Sequence, residues 1–244
     1  MKKGVQMYAI RSLAEKDMEL ALKTVSEIGY EGVEFASFYN HTPEEITSWL
    51  KKYNLEVMGA HIAPELIFDE ADKTIAFHKS IGNTRIICPW YDLKTKEDVL
   101  ELAEKMKSVA SKYKVNGMKL YYHNHDHEFV KADGEYLIDI LADEVPADIL
   151  SLEFDVYWVY RGGECPVGYF KKYSDRVDIF HAKDGIDDKG VTLSKGAVDM
   201  TGVFEYAKAH NMEWAVVESE ACEEADDQVN AIKEDYAELL KLLA

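Results

Sequence analysis

Cysteines are few in this chain, and their number and spacing exclude two kinds of structure. Only three are present among 244 residues, at Cys88, Cys165 and Cys222, and no two of them form a CxxC pair. A disulfide framework or a zinc site built from thiolates needs more cysteines at closer spacing. We therefore expect a protein of a reducing compartment, the cytoplasm, without disulfide bonds.

Basic residues and long apolar segments are also scarce. The 28 lysines and arginines are outnumbered by 46 aspartates and glutamates, and the formal net charge is −18. This charge argues against nucleic acid and anionic membranes as partners, because both attract basic proteins. No uncharged apolar stretch approaches the roughly 18 residues of a membrane-spanning helix, and the segment MKKGVQMYAIRS is too interrupted for a signal peptide. A small molecule is the expected partner, and homo-oligomerisation stays open.

What the sequence does contain is a repeated alternation of short apolar runs and helical patterns. The runs have the length of strands and are rich in Val, Ile, Tyr and Phe. They are residues 4–8, 32–36, 56–61, 84–89, 119–125, 150–155, 177–181 and 214–218. Helix signals stand between them, such as Thr42 followed by Pro43, which is typical of a helix start, and Gly29, which is typical of a helix end.

About eight strand-then-helix units indicate parallel strands with right-handed crossovers. Their number favours a closed (β/α)8 barrel formed by one domain over residues 1–244. The first strand-to-helix turn lacks the GxGxxG pattern, which argues against an open dinucleotide-binding sheet. The long loop at residues 184–198 follows the seventh run, and we interpret it as a candidate flap over the substrate.

Ionisable residues end most of the apolar runs. Strands of a closed parallel barrel are buried on both faces and should be almost wholly apolar, whereas active sites of such barrels lie at the C-terminal ends of the strands. We therefore expect the terminal residues to converge at one mouth. Imidazole and carboxylate groups without thiolates are a ligand set for Mn, Mg, Co, Fe or Zn. The residues are Glu34, His61, His123, His125, Asp155, His181 and Glu218.

Each of these residues also has a purely structural interpretation. Glu34 is equally well a solvated loop carboxylate, and His61 a hydrogen-bonded core histidine. Asp155 favours function, because a buried carboxylate is costly without a cation. Glu153 shares the face of Asp155 one layer deeper, and the sequence gives it no role.

The remaining polar candidates lie on later strands or beside them. His123 and His125 share one face of a strand, so two imidazoles point into the same space, and a surface histidine cluster is the alternative. Glu218 ends a very apolar run. Lys183 either polarises a substrate oxygen or pairs with Asp184. The aromatic residues at strand ends, Trp90, Tyr91 and Trp158, suit stacking on a sugar, although core packing explains them nearly as well.

The order and spacing of these segments resemble the sugar phosphate isomerase/epimerase superfamily, the xylose isomerase-like TIM barrels. The resemblance runs through nearly the whole chain, in the segments GVQMYAIR, GYEGVEF, GAH, YHNHDHEF, EFDVYW, RVDIFHAKDG and VVESE. It implies one divalent ion held by a Glu, an Asp, a His and a second Glu on separate strands. Asp155, His181 and Glu218 match the last three. The metal is expected to be Mn²⁺ first, with Mg²⁺, Co²⁺ or Zn²⁺ as alternatives.

At the fourth ligand position the chain departs from the superfamily. Members often read Glu-Asn-His where this chain has His123-Asn124-His125, so we predict His123 as the fourth ligand. Epimerases of the superfamily use both glutamates across the substrate carbon, and the replacement puts this two-base scheme in doubt. Trp158 stands where two-metal members place a histidine, which predicts one metal ion.

The leading expectation is a metal-dependent isomerase or epimerase of a sugar or sugar phosphate that abstracts a proton next to a carbonyl group. Glu218 or His125 would be the base, and Lys183 and His61 would contact substrate oxygens. The substrate would be bound by Glu34, His61, Trp90 and Trp158. The alternative is a metal-dependent lyase or dehydratase acting on a keto-sugar or an inosose, with the same metal and base.

Other classes fit less well. The superfamily's apurinic endonucleases need several metals and a basic DNA track, which the net charge and Trp158 oppose. Amidohydrolase barrels carry their HxH motif on the first strand, where this chain has only Gln6 and Tyr8. A non-catalytic sugar-binding protein would bind its ligand without a metal.

Overall fold

The computed structural model describes residues 1–222 and 225–244. Within these ranges eight parallel strands close into a barrel, and the first strand pairs with both the second and the last. The predicted (β/α)8 fold is thereby confirmed. The strands, β1 to β8 in chain order, are Lys2–Gln6, Gly32–Phe35, Glu56–His61, Arg85–Cys88, Lys119–His123, Leu150–Asp155, Ile179–Ala182 and Trp214–Val217.

Helices surround the barrel and pack their apolar faces on the outer side of the strands. In chain order α1 to α11 are Arg11–Lys16, Met18–Ile28, Pro43–Tyr53, Pro64–Phe68, Ala71–Ser80, Lys96–Val115, Leu137–Glu144, Val156–Arg161, Pro166–Lys172, Met200–Ala209 and Ala225–Leu243. Among these helices, none has both the length and the apolar character of a membrane span.

The predicted helix boundaries at Thr42 and Gly29 are confirmed. The Thr42 hydroxyl accepts a hydrogen bond from the Glu45 N–H at 3.2 Å, and the Glu45 carboxylate accepts one from the Thr42 N–H at 2.8 Å. These two bonds pair backbone donors that the start of a helix leaves unsatisfied. Gly29 ends α2 with a φ of 117°, a conformation that glycine adopts without steric cost.

Two strands, β1 and β5, end two residues earlier than the apolar runs predict. β1 stops at Gln6 because its side-chain oxygen accepts the Tyr8 N–H at 3.1 Å and turns the chain into a 3-10 helix, Met7–Ile10. β5 stops at His123 because the Glu128 carboxylate accepts the His125 N–H at 2.8 Å. His125 therefore lies in the loop after the strand.

The loop at residues 184–198 is held in place by one side chain. It contains a two-stranded antiparallel hairpin, Asp184–Ile186 with Lys189–Val191. The buried Asp184 carboxylate accepts hydrogen bonds from the N–H groups of Gly185, Gly196 and Val198 at 2.9, 2.9 and 3.2 Å. These bonds tie the two ends of the loop together, so the loop is structured internally.

Inside the barrel, the N-terminal halves of the strands form an apolar layer. Gly32 makes room for it, since a Cβ at this position would lie 2.6 Å from the indole ring of Trp214. Side chains along a strand alternate between faces, so the next inward positions toward the C-terminal ends carry the polar residues of the site. The apolar layer consists of Met58, Ile87, Tyr121, Ile179, Trp214 and Val216.

Candidate metal centre and active site

The structure brings the four predicted metal ligands together at the C-terminal ends of β5 to β8. His123, Asp155, His181 and Glu218 each offer one ligand atom, and these atoms all lie within 4.8 Å of one another. Glu218, the most exposed of the four, is only 7% exposed. We call these four residues the mouth cluster; their role as metal ligands stays a prediction.

Several buried atoms of the mouth cluster have no hydrogen-bond partner within the described residues. They include Asp155 Oδ2, His123 Nδ1 and His181 Nδ1. The other oxygen of Asp155 accepts the N–H groups of Tyr157 and Trp158 at 2.9 and 3.2 Å, which fixes the carboxylate at the start of α8. Unpaired polar atoms are costly to bury. Two imidazoles and two carboxylates with free lone pairs fit a divalent cation.

The orientation of His181 is set from below by Glu34. The Nε2 atom of His181 lies 2.6 Å from Glu34 Oε2, which also accepts the side-chain amide of Gln6 at 2.6 Å. An ionised carboxylate only accepts, so Nε2 carries the proton. Nδ1 faces the mouth, 2.8 Å from Glu218 Oε2, and is the atom that a metal ion would bind in place of a proton. A carboxylate behind the imidazole is the usual support of a histidine that binds a metal.

Beneath the mouth cluster, Glu34, His61 and Glu153 form a second group, the inner cluster. His61 Nε2 lies 3.1 Å from Glu153 Oε2 and 3.2 Å from Glu34 Oε2. Burial raises the pKa of Glu153 to about 7. Burial opposes ionisation of Glu34 too, but the charges of His61 and His181 hold the pKa of Glu34 well below its usual range.

Two members of the inner cluster, His61 and Glu153, belong to an alternative ligand set. Ligand atoms of His61, His123, Glu153 and His181 also lie within 4.8 Å of one another. Each set contains one close pair, His61 with Glu153 at 3.1 Å and His181 with Glu218 at 2.8 Å. The mouth cluster adds Asp155, whose Oδ2 has no hydrogen-bond partner within the described residues, and it is the set that the sequence predicts.

Lys183 lies beside the mouth cluster and is buried. Its Nζ donates to Glu218 Oε1 at 3.0 Å and lies 2.9 Å from Glu220 Oε2 and 3.9 Å from Asp155 Oδ2. Burial alone would lower its pKa, but these carboxylates, Glu218 first, keep the pKa above its ordinary range. An ammonium group is therefore fixed next to the predicted base. Sequence reasoning missed Glu220, although it lies two residues beyond Glu218 in VVESE.

His125 and Trp158 lie at the rim of the mouth. The His125 ring is centred 5.1 Å from that of His123 and 5.4 Å from that of Trp158. Burial lowers the pKa of His125 to about 3, so its imidazole is neutral. Trp90 is 49% exposed, and its ring lies 5.8 Å from that of His127. The roles of Glu34, His61, Trp90 and Trp158 in substrate binding stay predictions.

Comparisons with known proteins agree with this fold. An inosose dehydratase of Clostridium beijerinckii is 22% identical over 249 residues, which cover 84% of this chain and 83% of that protein. A solved sugar phosphate isomerase/epimerase from Parabacteroides distasonis superposes with a TM-score of 0.87 at 22% identity, covering 100% and 94% of the two chains. The structure of the IOLI protein with a zinc atom superposes with a TM-score of 0.76 at 14% identity, covering 100% and 98%. The model of the xylose isomerase-like TIM barrel family matches residues 22–243, and the chain belongs to this family.

Proposed function

We propose that this protein is a metal-dependent enzyme that removes a proton next to the carbonyl group of a sugar or a sugar-like molecule. The observation that carries the proposal is the convergence of four buried ligand atoms in the mouth cluster, with Asp155 Oδ2 left without a hydrogen-bond partner among the described residues. A divalent ion held by the mouth cluster would polarise the substrate oxygens and stabilise the negative charge that develops as the proton leaves. The zinc atom in the structure of the IOLI protein, which has a similar fold, supports metal binding. We propose Mn²⁺ first, with Zn²⁺, Mg²⁺ and Co²⁺ as alternatives.

Glu218 is the proposed base. Burial works against its ionisation, but Lys183 and His181 hold its pKa well below the usual range, so the carboxylate is deprotonated and can accept a proton. The ammonium group of Lys183, 3.0 Å from Glu218 Oε1, would donate a hydrogen bond to a substrate oxygen and stabilise charge there. His125, a neutral imidazole at the rim, is the second candidate for moving the proton.

The mouth cluster favours reactions that need one base. Asp155 is fixed by two backbone N–H groups, and β5 contributes His123 instead of a carboxylate. Glu218 is then the carboxylate of this cluster that remains for proton transfer, which argues against epimerisation by two opposed glutamates.

Two outcomes remain after the proton has been removed. Glu218 can return it to the neighbouring carbon, which gives isomerisation, the first candidate; the name of the Parabacteroides distasonis structure agrees with it. Alternatively a group on the next carbon leaves, and Lys183 is the proposed acid that protonates it. The similarity to inosose dehydratase favours this elimination.

Mass spectrometry of reactions run in D₂O tests the proposal. The Mn²⁺-loaded enzyme is incubated with ketoses, keto-glycosides and inososes, and a chelator-treated sample is the control. Isomerisation conserves the elemental composition and introduces deuterium from the solvent, whereas elimination releases water or an aglycone. If the metal-loaded enzyme forms no product and incorporates no deuterium into any of these compounds, the proposed function is wrong.

A further inference from the structure

A cavity of about 390 Å³ adjoins the site. It lies between the loops that follow β2 and β3 and the helices α4 and α5. His61 lines it and also belongs to the inner cluster, with its Nε2 3.1 Å from Glu153 Oε2. A molecule in the mouth could therefore extend past His61 into this space.

The walls of the cavity are largely apolar. The rings of Phe38 and Phe77 line it, tilted at 58° with their centroids 4.6 Å apart. Ile62 contributes a buried aliphatic wall, and Leu66 is 44% exposed, so an apolar surface continues to the opening. A leucine left half-exposed beside two aromatic rings is the kind of surface that an apolar ligand covers.

The polar lining groups with described contacts are already paired. The ammonium of Lys73 donates to Glu70 at 2.8 Å, and the Thr74 hydroxyl donates to the Leu66 carbonyl oxygen at 2.7 Å. His78 Nδ1 lies 3.0 Å from the side-chain nitrogen of Asn83, and burial lowers the pKa of His78 to about 4, so the ring is neutral. A phosphate group would find no unpaired cation here among the described lining residues, whereas an uncharged group would fit.

We propose that this cavity is a subsite for an uncharged aryl group carried by the substrate, whose polyol part lies in the mouth. The proposal rests on the proposed function and names its substrate class. A cavity of about 150 Å³ holds benzene, so this one has room for a bicyclic ring. The rings of Phe38 and Phe77 offer an aromatic surface on which an aryl group can pack. His61 lies between the cavity and the mouth. There its side chain can form a hydrogen bond with the oxygen that joins the aryl group to the polyol part of the substrate.

Calorimetric titration of the Mn²⁺-loaded protein with 2-naphthol tests the cavity itself. We expect binding that Leu66→Asp weakens at least ~10-fold, because the ring would have to desolvate a carboxylate. Leu20→Asp is the matched control, since Leu20 on α2 is also 44% exposed, and it should bind like the wild type. The proposal is overturned if 2-naphthol does not bind the wild type, or if it binds Leu66→Asp equally well.

A second titration links the cavity to the mouth. Phenyl β-D-glucoside should bind the wild type at least ~10-fold more tightly than methyl β-D-glucoside. This factor corresponds to only part of the free energy gained when an aromatic ring is transferred from water to an apolar site. Leu66→Asp should remove this preference and Leu20→Asp should keep it. Equal affinities, or no binding of either glucoside, overturn the proposal. Deuterium incorporation reports on the proposed function separately: a protein that binds 2-naphthol but exchanges no proton has an aryl site and lacks the proposed activity.

Discussion

The interior of the barrel contains two layers of opposite chemistry. On β8, Trp214 and Val216 belong to the apolar layer, and Glu218, the next residue in the same direction, belongs to the mouth cluster. On β7, Ile179 is followed in the same way by His181 and Lys183. The same strands therefore carry packing at their N-terminal ends and ionisable groups at their C-terminal ends. Stability and chemistry are separated along the barrel axis, as the fold allows.

The two layers differ in how well the atoms of their side chains are packed or hydrogen-bonded. The apolar layer is filled by its own atoms, with Trp214 1% exposed and packed against Gly32. The polar layer buries charges and leaves Asp155 Oδ2 and His181 Nδ1 unpaired within the described residues. Loss of a side chain in the apolar layer should therefore affect folding. Loss of a side chain in the polar layer should affect metal binding and catalysis.

The largest expected effect lies in the apolar layer. Trp214→Ala should lower the free energy of unfolding by about 3–5 kcal/mol, because it leaves a cavity in the barrel floor. Denaturant unfolding measures this, and metal content per folded protein should not change. The control is Trp90→Ala, at a tryptophan that is 49% exposed, with an expected change within about 0.5 kcal/mol. If Trp214→Ala and Trp90→Ala were equally stable, the apolar layer would not have the stabilising role described here.

The second effect concerns the base. Glu218→Gln should lower kcat at least ~100-fold, the lower end for loss of a general base, while KM changes less because the amide oxygen can still face the site. Steady-state kinetics with metal content measured on the same sample checks this. If a metal-loaded Glu218→Gln sample exchanged the substrate α-proton at the wild-type rate, Glu218 would not be the base. His125 would then be the candidate base.

Removal of the metal should destabilise the native barrel. A free ion at 100 times its Kd stabilises the protein by about 2.7 kcal/mol, so chelation should lower Tm by roughly 5–10 °C in a chain of this size. Thermal unfolding followed by circular dichroism measures the shift. Asp155→Asn is the control, in which the chelator should have a smaller effect. Identical wild-type melting curves with and without chelator argue against a bound ion.

The smallest expected effect concerns the support of His181. Glu34→Gln replaces the acceptor of the His181 Nε2 proton by a neutral amide, so metal affinity should fall about 10-fold. Competition with a chromophoric chelator measures the affinity directly. Glu31→Gln, at a more exposed glutamate paired with Lys3, should bind metal like the wild type. An unchanged affinity in Glu34→Gln would mean that Glu34 does not orient this ligand.

The mouth cluster could be predicted because strand ends are visible in the sequence. The run LSLEFD coincides with β6, Leu150–Asp155, and its last residue lies where the barrel geometry requires a site. Glu153 could be given no role, since its partners, His61 and His181, lie on strands that are distant in the sequence. In the sequence Gln6 is only a polar residue of the first run. Its bond to Glu34 joins residues 28 positions apart, and no local pattern reports such a contact.

The apolar cavity was not predicted for the same reason. Phe38 follows β2, His61 ends β3 and Phe77 lies on α5, and each fits an ordinary amphipathic or strand-end pattern. Their proximity follows only from the way α5 packs beside the loops that follow β2 and β3. Contacts between distant segments thus set the limit of what the sequence predicts here.

An anomalous-diffraction crystal structure of the Mn²⁺-loaded protein tests the metal site most directly. We expect one strong anomalous peak within roughly 2.0–2.4 Å of ligand atoms of His123, Asp155, His181 and Glu218. A peak among His61, His123, Glu153 and His181, or no peak with the side chains of the mouth cluster turned apart, would contradict it.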